Sequence, residues 1–96
     1  MYARVTNLRF PPGLRREVIG VAEGLAPVLR RQRGFNGFQA LMDPPTGEGM
    51  IVSWWETEAD AEASEASSSY KGQMSMMSSF LYERLAPKTY EISVRG

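Results

Sequence analysis

The sequence contains no cysteine and no histidine. Without cysteine there is no disulfide, no thiolate metal site and no thiol nucleophile. Without histidine, the commonest general base and the commonest metal ligand are both missing. A zinc centre and a Ser-His-Asp triad are therefore excluded. No apolar run approaches the roughly 20 residues needed to cross a bilayer. The opening MYARVTNLRF holds no apolar h-region, so no secretory signal is expected and the cytoplasm is the expected compartment. Net charge is absent too, but the zero hides an asymmetry. Residues 1–40 carry seven arginines and two acids, and residues 41–96 carry four basic and nine acidic groups. Arg30, Arg31 and Arg33 alone hint at nucleic acid. That cluster is short and ends a predicted helix, where basic groups complement the dipole and a neighbouring acidic helix. Neither a nucleic-acid nor a membrane partner is expected.

What remains is ordinary globular composition, 43% hydrophobic and 23% charged, over 96 residues. That suits one small domain spanning 1–96. Tyr2 to Phe10 alternates loosely and reads as a strand, ended by Pro11-Pro12-Gly13. Leu14, Val18, Val21, Ala22, Leu25, Val28 and Leu29 then fall at steps of three and four, one stripe of a helix. Pro27 should kink that helix or begin a new turn, and Gly34 should cap it. Phe35 to Met42 and Met50 to Trp55 flank a turn-rich loop, Asp43 to Gly49, and read as an antiparallel hairpin. Thr57 with Asp60 three residues on resembles a capping box, and acids crowd the first turns. The spacing predicts a helix from about Glu58 to Ser67, a break near Ser68 to Gly72, and a short helix to about Leu85. Pro87 stops it, and Thr89 to Arg95 alternates as a last strand.

The order is β-α-β-β-α-β. It predicts an α+β, ferredoxin-like fold, with two helices on one face of a four-stranded antiparallel sheet. The basic and acidic helices should lie side by side. One stretch, GMIVSWWETEADAEA, then poses a problem. Strand side chains alternate, so Trp54 and Trp55 must point to opposite faces of the sheet. Met50, Val52 and Trp54 face one way and Ile51, Ser53 and Trp55 the other. Both sets are too apolar for water, and only one face is covered by helices. An exposed apolar patch of that kind marks an interface or a pocket. The expected partner is a second copy, two sheets packing face to face around a barrel-like core. One tryptophan would anchor the helices, and the other would meet the partner sheet or a cavity.

The segment RRQRGFNGFQALMDPPTGEGMIVSWWETEADAEA, Arg30 to Ala63, resembles the central signature of the antibiotic biosynthesis monooxygenase domain family. The shared features are the Gly34-Phe35 pair, the acidic glycine-containing turn Asp43 to Gly49, the strand end Trp55-Glu56-Thr57 and the acidic, alanine-rich helix. MYARVTNLRF is similar to the family's first strand. The resemblance implies a dimeric α+β barrel. It also implies an oxygenase that uses no metal, flavin or other cofactor on small aromatic or phenolic metabolites. There the substrate anion passes an electron to dioxygen, and the protein supplies shape and hydrogen bonds.

By the same resemblance the candidate catalytic residues are Asn7, Trp55 and Arg84. Trp54, Tyr70, Met74 and Tyr82 are candidates for a ligand cavity. Each has a plainer reading. Trp55 also suits a core or interface, a buried Asn7 needs only some hydrogen-bond partner, and tyrosines and methionines at helical spacing are usually packing. A related branch degrades haem, but the positions for its tryptophan and histidine fall near Ser64 and Met74, so that route is not expected. Two functions stay open: a cofactor-independent oxygenase, and a non-catalytic dimer that binds a small molecule or is structural. A cavity holding Asn7 and a tryptophan would favour the first, and a filled barrel the second.

Overall fold

The computed structural model describes residues 1–43, 45–83 and 86–96. Strand β1 (Tyr2–Arg9) leads through a short 3-10 turn (Pro12–Leu14) into α1 (Arg15–Arg30). The hairpin β2 (Phe35–Asp43) and β3 (Glu48–Trp55) follows, then α2 (Glu58–Ala66), α3 (Ser68–Ser78) and β4 (Lys88–Glu91). The strands form one sheet in the order β2-β3-β1-β4, and every neighbouring pair is antiparallel. This is the ferredoxin-like α+β arrangement that the sequence predicts, with its second helix in two pieces.

Local chemistry explains several element boundaries, and some of them depart from expectation. Thr57 caps α2 as expected, its Oγ1 accepting the Asp60 N–H at 3.0 Å. The break between helices lies at Ser67, not over Ser68 to Gly72. Ser67 is extended (φ −68°, ψ 144°), so it ends α2. Its Oγ accepts the Tyr70 N–H at 3.3 Å and donates to the Ser64 carbonyl at 2.8 Å, so it also caps α3. Helix α3 stops at Ser78 rather than Leu85, which lies outside the described residues. Strand β4 ends at Glu91 rather than Arg95. Helix α1 passes through Pro27 and is capped by Arg31. Gly34 instead serves the entry to β2, at φ 78° with the Asp60 carboxylate where a Cβ would go.

The apolar stripe of α1 sits on the sheet as predicted, with Val18, Leu25 and Leu29 fully buried against Leu8, Phe10, Ile51 and Trp55. The helix beside α1 is chiefly α3, whereas α2 packs on α3 and the sheet. The charged helices therefore do not match side by side. Their link is the loose approach of Arg33 to Asp60 at 4.0 Å.

Strand register settles where the two tryptophans go. Trp55 pairs with Tyr2 and lies under the helices, with no exposure at all. Its Nε1–H donates to Ser53 Oγ at 2.8 Å, and the Phe35 ring meets it edge-on at 5.7 Å. Trp54 pairs with Ala3 and Gly37 and lies on the opposite, helix-free face. Val5 and Val52, then Asn7, Met50 and Leu41, continue that face in successive rows.

Candidate functional site

Alternation along β1 sends Arg4 and Thr6 inward, in phase with Leu8 and Phe10. An arginine only 2% exposed is unusual. Its Nη1 donates to the Ala61 carbonyl at 2.8 Å, and its Nη2 reaches Ser64 Oγ at 3.4 Å. The guanidinium carbon lies 5.0 Å from the Trp55 ring centre and 4.4 Å from that of Tyr70. A cation is thus held between two aromatic rings. Among the described residues no carboxylate lies within ion-pair distance of it. Burial pulls the Arg4 pKa below its usual value, opposed by Tyr70 and by Glu65. An arginine so placed stays charged, because its ordinary pKa is so high.

Tyr70 stands on the first turn of α3, placed there by the Ser67 cap. Burial pushes its phenol pKa up, the Arg4 charge and the Thr6 side chain pull against that rise, and Glu65 adds to it. Beyond it opens a cleft of about 600 Å³ between α2, α3, β1 and the residues Leu81, Ala86 and Pro87. That volume falls in the usual range of small-molecule sites. Tyr70, Met74, Leu81 and Pro87 supply apolar wall, and Thr6, Ser75 and Ser78 supply hydroxyls. Glu65 and Lys71 place opposite charges on the wall. A shallower hollow of about 390 Å³ lies between α1 and β2, among Ile19, Phe38 and Met42. Its charged groups are Arg15 and Glu23 from α1, and it has no hydroxyl in its lining.

The cleft brings together Tyr70 and Met74 from the sequence candidates. Trp55 backs it from behind Arg4 without lining it. Asn7 is exposed on the open sheet face, paired with Met50, and Trp54 lies on that same face. Asn7 and Trp55 are thus on opposite sides of the sheet and share no cavity. Tyr82 is 64% exposed, and its backbone N–H bonds the Arg9 carbonyl. Arg84 lies outside the described residues. Sequence reasoning missed Arg4 and Thr6. The available signal was phase: Arg4 occupies an inward position of a strand whose other inward residues are apolar or small.

Among the described residues no group of three His, Cys, Asp or Glu side chains is placed to hold a metal ion. No described helix is long and apolar enough to cross a membrane. The fold is shared with several solved structures at low identity. Rv0793 from Mycobacterium tuberculosis matches at 12% identity and TM-score 0.82, over 98% of this chain and 96% of that one. NE2512, a Nitrosomonas europaea protein of unknown function, matches at 16% identity and TM-score 0.81, over 99% and 91%. A conserved Methanosarcina mazei Go1 protein matches at 13% identity and TM-score 0.80, over 93% and 89%. No curated protein matches the sequence. The family model for antibiotic biosynthesis monooxygenases matches residues 1–74, more than three quarters of the 96, and the chain belongs to that family.

Proposed function

We propose that the protein is a cofactor-independent monooxygenase of a small aromatic or phenolic substrate, bound in the cleft beside α3. The observation that carries this reading is the cleft itself. It is large enough for a fused-ring ligand, mostly apolar, edged by hydroxyls, and has a buried cation behind one wall. The chain has no histidine to act as base. Its substrate must therefore be acidic enough to ionise readily once bound. The anion transfers an electron to dioxygen. One oxygen atom enters the ring carbon, and the other leaves as water with two substrate hydrogens. The protein contributes shape, exclusion of water and hydrogen-bond donors.

A homodimer through the open sheet face belongs to the same proposal. Ala3, Val5, Val52, Met50, Leu41 and Trp54 form an apolar field without a helix over it. Oxygen uptake with anthrone and with naphthoquinol tests the activity. Uptake above the buffer rate, lost on Tyr70→Ala, supports it. The exposed position of Asn7, outside the cleft, favours a second reading, a dimer that binds a small aromatic molecule without turning it over. Saturable binding of anthrone with no uptake selects that second reading.

A further inference from the structure

Replacing a buried charge with a well-packed apolar side chain is often neutral or stabilising. Packing alone therefore gives no reason for a cation at position 4. Arg4 is not neutralised where it sits. Both of its hydrogen bonds go to uncharged acceptors, the Ala61 carbonyl and Ser64 Oγ. The rings of Trp55 and Tyr70 lie against it, and the Glu65 carboxylate acts on it from beyond ion-pair distance. Trp55 is sealed in the core, whereas Tyr70 reaches the cleft wall beside Thr6. The field of the cation therefore enters the cleft through Tyr70. The other charged groups on that wall are Glu65 from α2 and Lys71 from α3, of opposite sign. Both are more exposed than Arg4, so water screens them more strongly. Of these three charged groups two are cations, and on Tyr70 the effect of Arg4 outweighs that of Glu65.

We propose that Arg4 is a positioning residue that acts through Tyr70, polarising its hydroxyl so that the cleft holds an aromatic oxyanion in preference to the neutral molecule. A cation over the ring withdraws electron density and makes the phenol a stronger donor. A hydrogen bond to an ionised oxygen is about twice as strong as one between neutral groups. The inference names the charge state of the ligand, and it rests on the oxygenase reading only for the choice of cleft.

The test compares 4-nitrophenol at a pH where it is ionised with nitrobenzene, the same nitroarene without the phenolic oxygen, and repeats the 4-nitrophenol measurement at a pH where it is neutral, which should bind more weakly than the anion. Affinities are read by equilibrium dialysis, and the visible band of 4-nitrophenolate reports its charge. The wild type should hold 4-nitrophenolate roughly tenfold more tightly than nitrobenzene, the scale of one charge-assisted hydrogen bond. Tyr70→Phe keeps the ring and should bring the ratio near one while nitrobenzene binds as before. Arg4→Met should do the same, and Arg4→Lys should restore part of the preference. A merely structural Arg4 would weaken both probes alike and leave the ratio intact, which overturns the proposal. A wild-type ratio near one, failure of both probes to bind, or an unchanged ratio in Tyr70→Phe also overturns it. If Arg4→Met does not fold, Arg4→Gln, which keeps a donor for the Ala61 carbonyl without the charge, takes its place, and an unchanged ratio there overturns the proposal. Absence of oxygen uptake with the tenfold ratio intact defeats the oxygenase reading and leaves this one standing.

Discussion

Trp55 is fully buried and its neighbour Trp54 is not, so two like residues one position apart should respond very differently to truncation. Trp55→Ala removes the partner of Phe35, one ring against Arg4 and the largest side chain of the core. It should cost about 3–5 kcal/mol, read as a lower urea midpoint. Trp54→Ala should leave the fold of a single chain nearly unchanged. Tyr70 carries a pH signature. Its phenol is pushed above the usual 10.0 in the folded chain, chiefly by burial. The unfolded chain then loses its proton first as pH rises past about 10, so stability is full below that and falls above it. Urea unfolding between pH 8 and 11, values chosen to span the roughly 10 of a free phenol, should show a steeper alkaline decline in wild type than in Tyr70→Phe. Equal slopes would mean that the Tyr70 phenol titrates alike in the two states.

At the scale of elements, the junction of α2 and α3 shows what the sequence discloses and what it withholds. Periodic apolar steps made both helices legible, because burial on one face dictates spacing. The break expected over Ser68 to Gly72 lies instead at Ser67, where the side-chain hydroxyl makes the ending. Side-chain capping depends on a rotamer and leaves only a weak mark among so many serines. Gly34 was visible as a turn glycine, but its tie to Asp60 spans 26 positions and has no local trace. The hairpin and the order of strands were legible from alternation and turn residues. The cleft was only half so. Tyr70 and Met74 stood out by type, and Arg4 was hidden because its partners come from β3, α2 and α3. Ser67→Ala should cost about 1 kcal/mol. It should also loosen the first turn of α3 and weaken nitrobenzene binding, since Tyr70 is placed by that cap. Thr57→Ala should cost a similar amount, about 1 kcal/mol, but leave binding unchanged, because its cap serves Asp60 and not the cleft.

For the whole molecule, the sheet divides two tasks between its faces. The helix side holds the core and the cleft, and the open side carries the apolar rows centred on Val5, Val52 and Trp54. A single small domain gains little by leaving such a field wet, whereas two copies related by a two-fold axis would bury it twice. Trp54→Glu should then separate assembly from ligand binding. An uncompensated charge trapped between two sheets costs about 3–5 kcal/mol, a hundredfold or more in dimer affinity. Sedimentation equilibrium should show twice the chain mass for wild type and the single mass for Trp54→Glu. Val52→Lys, at the centre of the same field, should act alike. The discriminating reading is the nitrophenolate-to-nitrobenzene ratio, which should persist in the monomer because Arg4, Thr6 and Tyr70 all come from one chain. A wild type that sediments as a monomer would remove the dimer from the proposal. A ratio lost together with the dimer would mean that the partner completes the cleft.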